Sequence, residues 1–360
     1  MHDNKVLVVD DSALMRKHLR QILEDAGYEV ETARNGEEAI EKVADFDPAV
    51  VTLDINMPVM DGITCLSLIM QQSPRPVVMV SSLTEKGALA TFEALELGAV
   101  DYVAKPGGTV SLNIRDVADE LIDKVRAATR ARTGKGRSLR QRLRAQREKV
   151  QTAPARKVRP RPSTRAKKSV QAELIIMGVS TGGPGTVEEI ITALPEDFPV
   201  PIVIAQHMPG KFTRVFAERL NKSAEIEVVE VSRPTPLSPG KIFVARGDAD
   251  VKLVRRAGKL IVSSVPVSDR YLWHPSVERL AQSVRELCDP ETVICVQLTG
   301  MGNDGARTMA ELHGLGARTI AEAEETAVVY GMPRELVELG GADCVLPSYE
   351  IADRLIEWVM

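Results

Sequence analysis

Short apolar runs alternate with amphipathic stretches along most of this chain, and the alternation comes in two blocks. Such a pattern admits little besides parallel sheets covered by helices on both faces. In the first block, strands are expected at 5–9, 29–33, 49–53, 77–81 and 101–104. Apolar side chains at helical spacing place helices at 14–26, 36–42, 63–71, 86–97 and about 111–128. In the second, strands are expected at 174–179, 201–206, 241–245, 260–263, 293–299 and 343–346, with helices at 187–194, 212–220, 277–287 and 306–312. The fold class is therefore α/β: two doubly wound parallel-sheet domains, an N-terminal (βα)5 unit over 1–125 and a C-terminal three-layer α/β/α unit over 170–360.

Between the blocks the composition changes. From Arg126 to Lys168 there are 17 Lys or Arg against one acid, Glu148, so that this stretch carries +16 and the remainder of a chain of net charge −4 carries −20. With almost no large apolar residues it cannot build a core, and 126–169 is expected to be a basic linker. A basic helix fits 138–150, whereas Pro154, Pro160 and Pro162 break regular structure after it. A solvated tether accounts for this run better than nucleic acid or anionic lipid does. The chain as a whole, 44% hydrophobic and 27% charged, has the composition of a globular protein. No apolar run approaches the ~20 residues of a membrane span, and the start lacks the order of a signal peptide, so membrane insertion is not expected and a cytoplasmic location is. Cys65, Cys288, Cys295 and Cys344 lack metal-ligand or disulfide spacing and are expected to be buried reduced thiols.

In a doubly wound sheet, functional side chains gather beyond the carboxyl ends of the strands. Asp10 and Asp11 follow the first strand, Asp54 the third, and Lys105 the fifth, just before Pro106. Three carboxylates in one place repel unless a hard cation such as Mg²⁺ binds between them, where it would also shield an incoming phosphoryl group. Any one Asp at a strand end is ordinarily a solvated turn residue. The ordered set of DD (Asp10, Asp11), DINMPVMDG (54–62), VSS (80–82) and KP (Lys105, Pro106) resembles the receiver domains of two-component response regulators over residues 1 to about 125. That resemblance implies Asp54 as the phosphorylation site and Mg²⁺ held by Asp10, Asp11, Asp54 and the Asn56 carbonyl. It also implies Ser81, rather than Ser82, as the hydroxyl contacting the phosphoryl group, Lys105 as the basic partner, and a histidine kinase as phosphodonor.

GVSTGGPG (178–185), a glycine-dense turn between an apolar strand and a helix, fits two chemistries: a phosphate cradle, or a serine nucleophile beside oxyanion-binding N–H groups. It matches neither GxGxxG nor GxxxxGK[ST]. A serine needs a base, and AQHMPGKF puts His207 directly after the next apolar strand. An imidazole needs an orienting acceptor, and TGMGNDG (299–305) puts Asp304 in a loop after VICVQL. Taken singly, Ser180 also suits a helix cap, His207 a turn and Asp304 an Asx-turn. Of the other histidines, His2 is terminal, His18 and His313 are expected to be exposed on helices, and His274 in YLWHPS lies in a loop that would line a cleft.

GVSTGG, QHMP, TGMGNDG and VYGMPRE (329–335) together resemble the catalytic domain of the chemotaxis protein-glutamate methylesterases, a family that also joins this domain to an N-terminal receiver. The resemblance implies Ser180 as nucleophile, His207 as general base and then acid, Asp304 as orienting carboxylate, and the N–H groups of Thr181 and Met301 as oxyanion donors. It implies glutamate γ-methyl esters of methyl-accepting chemoreceptors as substrate, a glutaminase activity on receptor glutamines, and no cofactor in this domain. The chain order Ser, His, Asp departs from the Ser, Asp, His order of ordinary α/β hydrolases. A transcription regulator would instead show a compact nucleic-acid reader in its second half, so no nucleic acid is expected as partner. A nucleotide-binding domain using 178–185 as a phosphate loop, and a non-hydrolysing scaffold, are the other readings weighed.

Overall fold

A computed structural model describes residues 4–82, 84–105, 114–131 and 171–360; the linker from 132 to 169, Pro106, His2 and the expected start of a helix at 111 lie outside the described residues. The N-terminal sheet has strands β1 (Lys5–Val9), β2 (Glu29–Ala33), β3 (Val50–Asp54), β4 (Val77–Ser82) and β5 (Asp101–Lys105). Their order is β2-β1-β3-β4-β5, and every pair is parallel. Strand β3 is buried throughout and β1 at all but Lys5, as expected of parallel strands covered on both faces. The covering helices are α1 (Ala13–Asp25), α2 (Gly36–Phe46), α3 (Gly62–Gln72), α4 (Glu85–Leu97) and α5 (Ile114–Arg130). Ser12, Asn35, Asp61 and Thr84 cap the first four, each side chain accepting a backbone N–H of the first turn. Helix α5 continues past the boundary expected at 125, because Val125, Ala127 and Ala128 still bury their side chains.

The C-terminal sheet has strands β6 (Leu174–Val179), β7 (Ile202–Gln206), β8 (Glu227–Val231), β10 (Lys241–Ala245), β13 (Val293–Gln297), β14 (Arg318–Glu322) and β15 (Cys344–Leu346). They run β15-β14-β13-β6-β7-β10-β8, parallel throughout. The expected strand 260–263 is not part of this sheet. It belongs to β12 (Lys259–Val265), which pairs antiparallel with β11 (Asp250–Arg256) and β9 (Thr235–Pro236) in a separate ribbon. Alternate residues of each strand feed opposite layers. Ile175, Met177 and Val179 of β6 face one core with Val187 and Phe216, while Leu174 and Ile176 face the other with Leu280 and Met309. Helices α6 (Gly183–Ile191), α7 (Gly210–Ser223) and α11 (Ser348–Val359) carry the first layer. Helices α8 (Val277–Leu287), α9 (Ala306–Gly314) and α10 (Met332–Glu338) carry the second. Helix α6 starts at Gly183 rather than 187, since Pro184 suits a first helical turn.

The two sheets share an apolar junction. Phe92 of α4 stacks on Phe216 of α7 at 5.6 Å, and Tyr102 of β5 stacks on Phe212 at 4.5 Å. Arg214 pairs with Glu85 at 3.3 Å, and Arg219 pairs with Glu96, around its edge. Among the described residues no helix is long and apolar enough to cross a membrane. All four cysteines are free thiols, but Cys288 and Cys344 are only half-buried, contrary to expectation. His18 and His313 are half-buried rather than exposed, the latter held by Thr319 and Asp343.

Candidate functional site

Strand β1 has β2 on one side and β3 on the other, so the order in which strands are added reverses between β1 and β3, the position where an open sheet leaves a crevice. Asp10, 0% exposed, and Asp54, 2% exposed, face that crevice with the exposed Asp11. Carboxylate oxygens of all three lie within 4.8 Å of one another. The Lys105 ammonium is 2.8 Å from Asp10 and 2.7 Å from Asp54. Burial pushes the Asp54 carboxyl above its ordinary range, and Lys105 only partly opposes this. Burial works against the Lys105 charge too, but the two carboxylates outweigh it and hold the ammonium above its ordinary value. Three hard oxygen donors converging on one point are the set a divalent cation such as Mg²⁺ takes. Ser81 is fully buried and donates to the Gly87 carbonyl at 3.2 Å, while Ser82 meets the Thr84 hydroxyl; neither hydroxyl is bonded to Asp54. The Asn56 N–H lies 3.4 Å from Asp54 Oδ1.

A second reversal occurs in the other sheet, between β6 and β13. Ser180 follows β6, His207 follows β7, and Asp304 lies in the loop after β13, on three adjacent strands. Because Val179 and Gln206 are register partners, Ser180 and His207 leave the sheet side by side. The His207 Nε2–H donates to Asp304 Oδ2 at 2.8 Å. An ionised carboxylate can only accept, so the proton resides on Nε2 and Nδ1 keeps its lone pair. Nδ1 is buried and has no partner. The Ser180 hydroxyl makes no hydrogen bond among the described residues, to His207 or to any other group.

Asp304 is itself held by the start of α8. Val277 N–H donates to Oδ2 at 2.7 Å, and Glu278 N–H at 2.9 Å and the Ser276 hydroxyl at 3.1 Å donate to Oδ1. A helix N-terminus favours a negative charge, so these donors suit a carboxylate at this position. Its loop is pinned by Gln297, whose amide donates to the Asp304 carbonyl at 2.8 Å. Trp273 stacks on His207 with ring centroids 6.0 Å apart and planes within 10°. Gly302 makes room for that indole: its φ is +82°, and a Cβ there would lie 2.6 Å from the Trp273 ring. The N–H groups of Thr181 and Met301 donate to no acceptor among the described residues, as oxyanion donors waiting for substrate would.

Sequence reasoning brought Ser180, His207 and Asp304 to one rim but missed Trp273, Ser276 and the α8 N-terminus. A hint existed in the helix-start pattern SVER, Ser276 to Arg279, directly after YLWHP. His274, placed in the same loop, bonds Asp250 at 2.8 Å.

Residues 175–355 match the family model described as CheB methylesterase, and residues 6–115 match the response regulator receiver domain. A protein-glutamate methylesterase/protein-glutamine glutaminase of Rhodospirillum rubrum is 52% identical over 99% of this chain and 96% of its own length. Another from Rhodopseudomonas palustris is 49% identical over 98% of each chain. The crystal structure of the Thermotoga maritima CheB methylesterase catalytic domain is similar over 52% of this chain and 99% of its own, at 38% identity and a TM-score of 0.50. With family models matched in both halves and such relatives along its whole length, the chain belongs to the CheB methylesterase family, in the form that carries a response regulator receiver domain ahead of the methylesterase domain.

Proposed function

We propose that this protein is a phosphorylation-activated serine hydrolase acting in the cytoplasm on glutamate γ-methyl esters of methyl-accepting chemoreceptors, and that it deamidates receptor glutamines by the same chemistry. The observation that carries the reading is the His207 imidazole, bonded at Nε2 to Asp304, left with a buried, partnerless Nδ1, and carried on the strand end next to that of Ser180.

The Ser180 hydroxyl attacks the ester carbonyl while His207 Nδ1 takes its proton. The oxygen that gains charge is met by the Thr181 and Met301 N–H groups, worth roughly 10²–10³ in rate for a single such donor. His207 then returns the proton to the departing oxygen as methanol leaves, or to nitrogen as ammonia leaves from a glutamine. Water, deprotonated by His207, attacks the acyl-enzyme; the proton goes back to Ser180, and a glutamate carboxylate is released. Asp304 fixes the tautomer and stabilises the imidazolium throughout.

In the receiver, Asp54 is the proposed phosphoacceptor, with a histidine kinase as donor. Asp10, Asp11 and Asp54, with the Asn56 carbonyl, would hold Mg²⁺, which when bound neutralises charge on the carboxylates and phosphoryl oxygens. Lys105 neutralises more, and Ser81 must leave the Gly87 carbonyl to reach the phosphoryl group. The unphosphorylated receiver restrains the hydrolase through the Phe92, Tyr102, Phe212 and Phe216 junction, since α7 begins just after the His207 loop. New charge at Asp54 biases that interface. The test is methanol release from methylated receptor membranes, with and without a small phosphodonor. Ser180→Ala should lower the rate by about 10⁴-fold or more, and Asp54→Asn should leave only the unstimulated rate. Appreciable turnover by Ser180→Ala refutes the hydrolase assignment.

A further inference from the structure

One buried side chain at the catalytic rim has no task in the reaction just described. Gln206 ends β7, is 2% exposed, and precedes His207. Its Nε2 donates to the Ser180 carbonyl at 2.9 Å and to the His207 carbonyl at 3.2 Å. Its Oε1 is buried with no partner. Gly183 makes room for it: a Cβ on Gly183 would lie 2.2 Å from Oε1. A side chain kept for packing alone would be apolar here, because a buried carbonyl oxygen without a donor is unfavourable and a hydrocarbon of the same shape has none. What the position uses is the donor half of the amide.

The peptide plane shows what that donor controls. The Ser180 carbonyl and the Thr181 N–H belong to one rigid planar unit and point in opposite directions. Whatever pins the carbonyl therefore aims the N–H. The Ser180 carbonyl is held by two donors, Gly183 N–H at 2.8 Å and Gln206 Nε2. The second also grips the backbone of His207, so one amide couples the orientation of the Thr181 N–H to the placement of the base.

We propose that Gln206 is a positioning residue for the hydrolytic reaction, its Nε2 aiming the Thr181 N–H at the developing oxyanion and fixing the spacing between Ser180 and His207. This rests on the roles proposed above for Ser180, His207 and Thr181. Gln206 touches no reacting atom and acts through two carbonyl groups.

Two substitutions in the full chain, activated by a small phosphodonor, test it by methanol release. Gln206→Glu has the same shape, and its introduced carboxyl donates one hydrogen bond when protonated and none when ionised. Compared with wild type at each pH, the variant should show an additional loss of kcat with rising pH, about tenfold or more, with KM little changed. Gln206→Met keeps length and burial without a donor. It should keep the wild-type melting temperature and lose about tenfold in kcat at every pH, with Ser180 labelling by a fluorophosphonate slowed in proportion. If Gln206→Glu does not fold, the Met variant decides. A Gln206→Met protein with wild-type kcat, or a folded Gln206→Glu protein with the wild-type pH profile, overturns the proposal. If Ser180→Ala is inactive while the Gln206 variants match wild type, this inference alone falls; if Ser180→Ala is active, the reading of the site falls with it.

Discussion

At the rim of the five-stranded sheet, three carboxylates lie within 4.8 Å of one another, with the Lys105 ammonium against two of them. At the rim of the seven-stranded sheet the Asp304 carboxylate is surrounded by four donors: His207, the Ser276 hydroxyl and the N–H groups of Val277 and Glu278. Both sites occupy the crevice where strand order reverses. What differs is how negative charge is compensated. The first rim balances charge with charge, so adding a phosphoryl group or a cation redistributes everything around it, which suits a switch. The second holds Asp304 with oriented dipoles that need not move during a reaction, which suits a catalyst.

The sharpest way to break this contrast is Asp304→Asn. Every donor now points at a carboxylate oxygen, so either orientation of the amide sets its NH₂ against at least one N–H or O–H. If the NH₂ faces His207, the imidazole proton must move from Nε2 to Nδ1, and the base is lost. We expect kcat to fall by about 10³–10⁴-fold with Asp54 phosphorylation unaffected. Methanol release and phosphate incorporation, measured on the same preparation, check both halves.

Asp250 combines the two manners of compensation. Fully buried, it accepts from the Ser276 N–H at 3.0 Å but also from His274 at 2.8 Å and Arg279 at 2.7 Å. Burial alone would raise its carboxyl, yet these bonds outweigh burial and hold it below the ordinary value of 3.8. A depressed folded-state value means that the stabilisation is complete above that ordinary value and is lost as pH falls below it. Asp250→Asn should therefore lower stability by about 2–3 kcal/mol near neutral pH and flatten the loss below about pH 4. Urea midpoints at pH 7 and between pH 4 and 3 test this; parallel curves would remove Asp250 from the comparison.

Much of this was legible in the sequence, for reasons that differ between the two rims. Strands such as KVLVV and LIIMGV announce themselves because parallel strands buried on both faces are continuous apolar runs. The edge strand EVVEV and the short RTIAE do not, because polar residues interrupt them. Asp10, Asp11, Asp54 and Lys105 were readable because each lies at or next to the end of a recognisable strand. Ser180 and His207 were readable on the same grounds, and Asp304 from the glycine-rich loop that follows β13. The donors around Asp304 were not, since they come from a segment 26 to 28 residues away that local patterning cannot place. Nor could the sequence tell which imidazole nitrogen faces Asp304, or that Ser81 is turned toward Gly87.

The coupling between rims can be sharpened at Phe92, whose ring stacks on Phe216 at 5.6 Å and meets Phe212 at 6.4 Å. Phe92→Ala removes the receiver's half of that stack and leaves both rims intact. If the junction restrains the hydrolase, unstimulated methanol release should rise about tenfold, toward the rate reached with phosphodonor. An unchanged basal rate in a folded variant would mean that restraint travels by another surface.

The smallest effect concerns backbone strain, which the two rims also treat differently. In the loops that carry Ser180 and Asp304 the left-handed positions are glycines: Gly182 at φ 76°, Gly302 at 82° and Gly305 at 86°. In the receiver loop after Asp54 the same region of backbone space is held by Val59, at φ 70° and 73% exposed. The Met60 N–H reaches back across it to the Pro58 carbonyl at 2.8 Å, closing a tight three-residue turn. A β-branched residue is disfavoured there by about 1–2 kcal/mol, and its side chain makes no compensating burial. Val59→Gly should therefore raise stability by about 0.5–1 kcal/mol, the relief being partly offset by the greater freedom of glycine in the unfolded chain. A urea midpoint that stays put or falls would show that the turn holds Val59 without strain, and that the two rims do not differ in this respect.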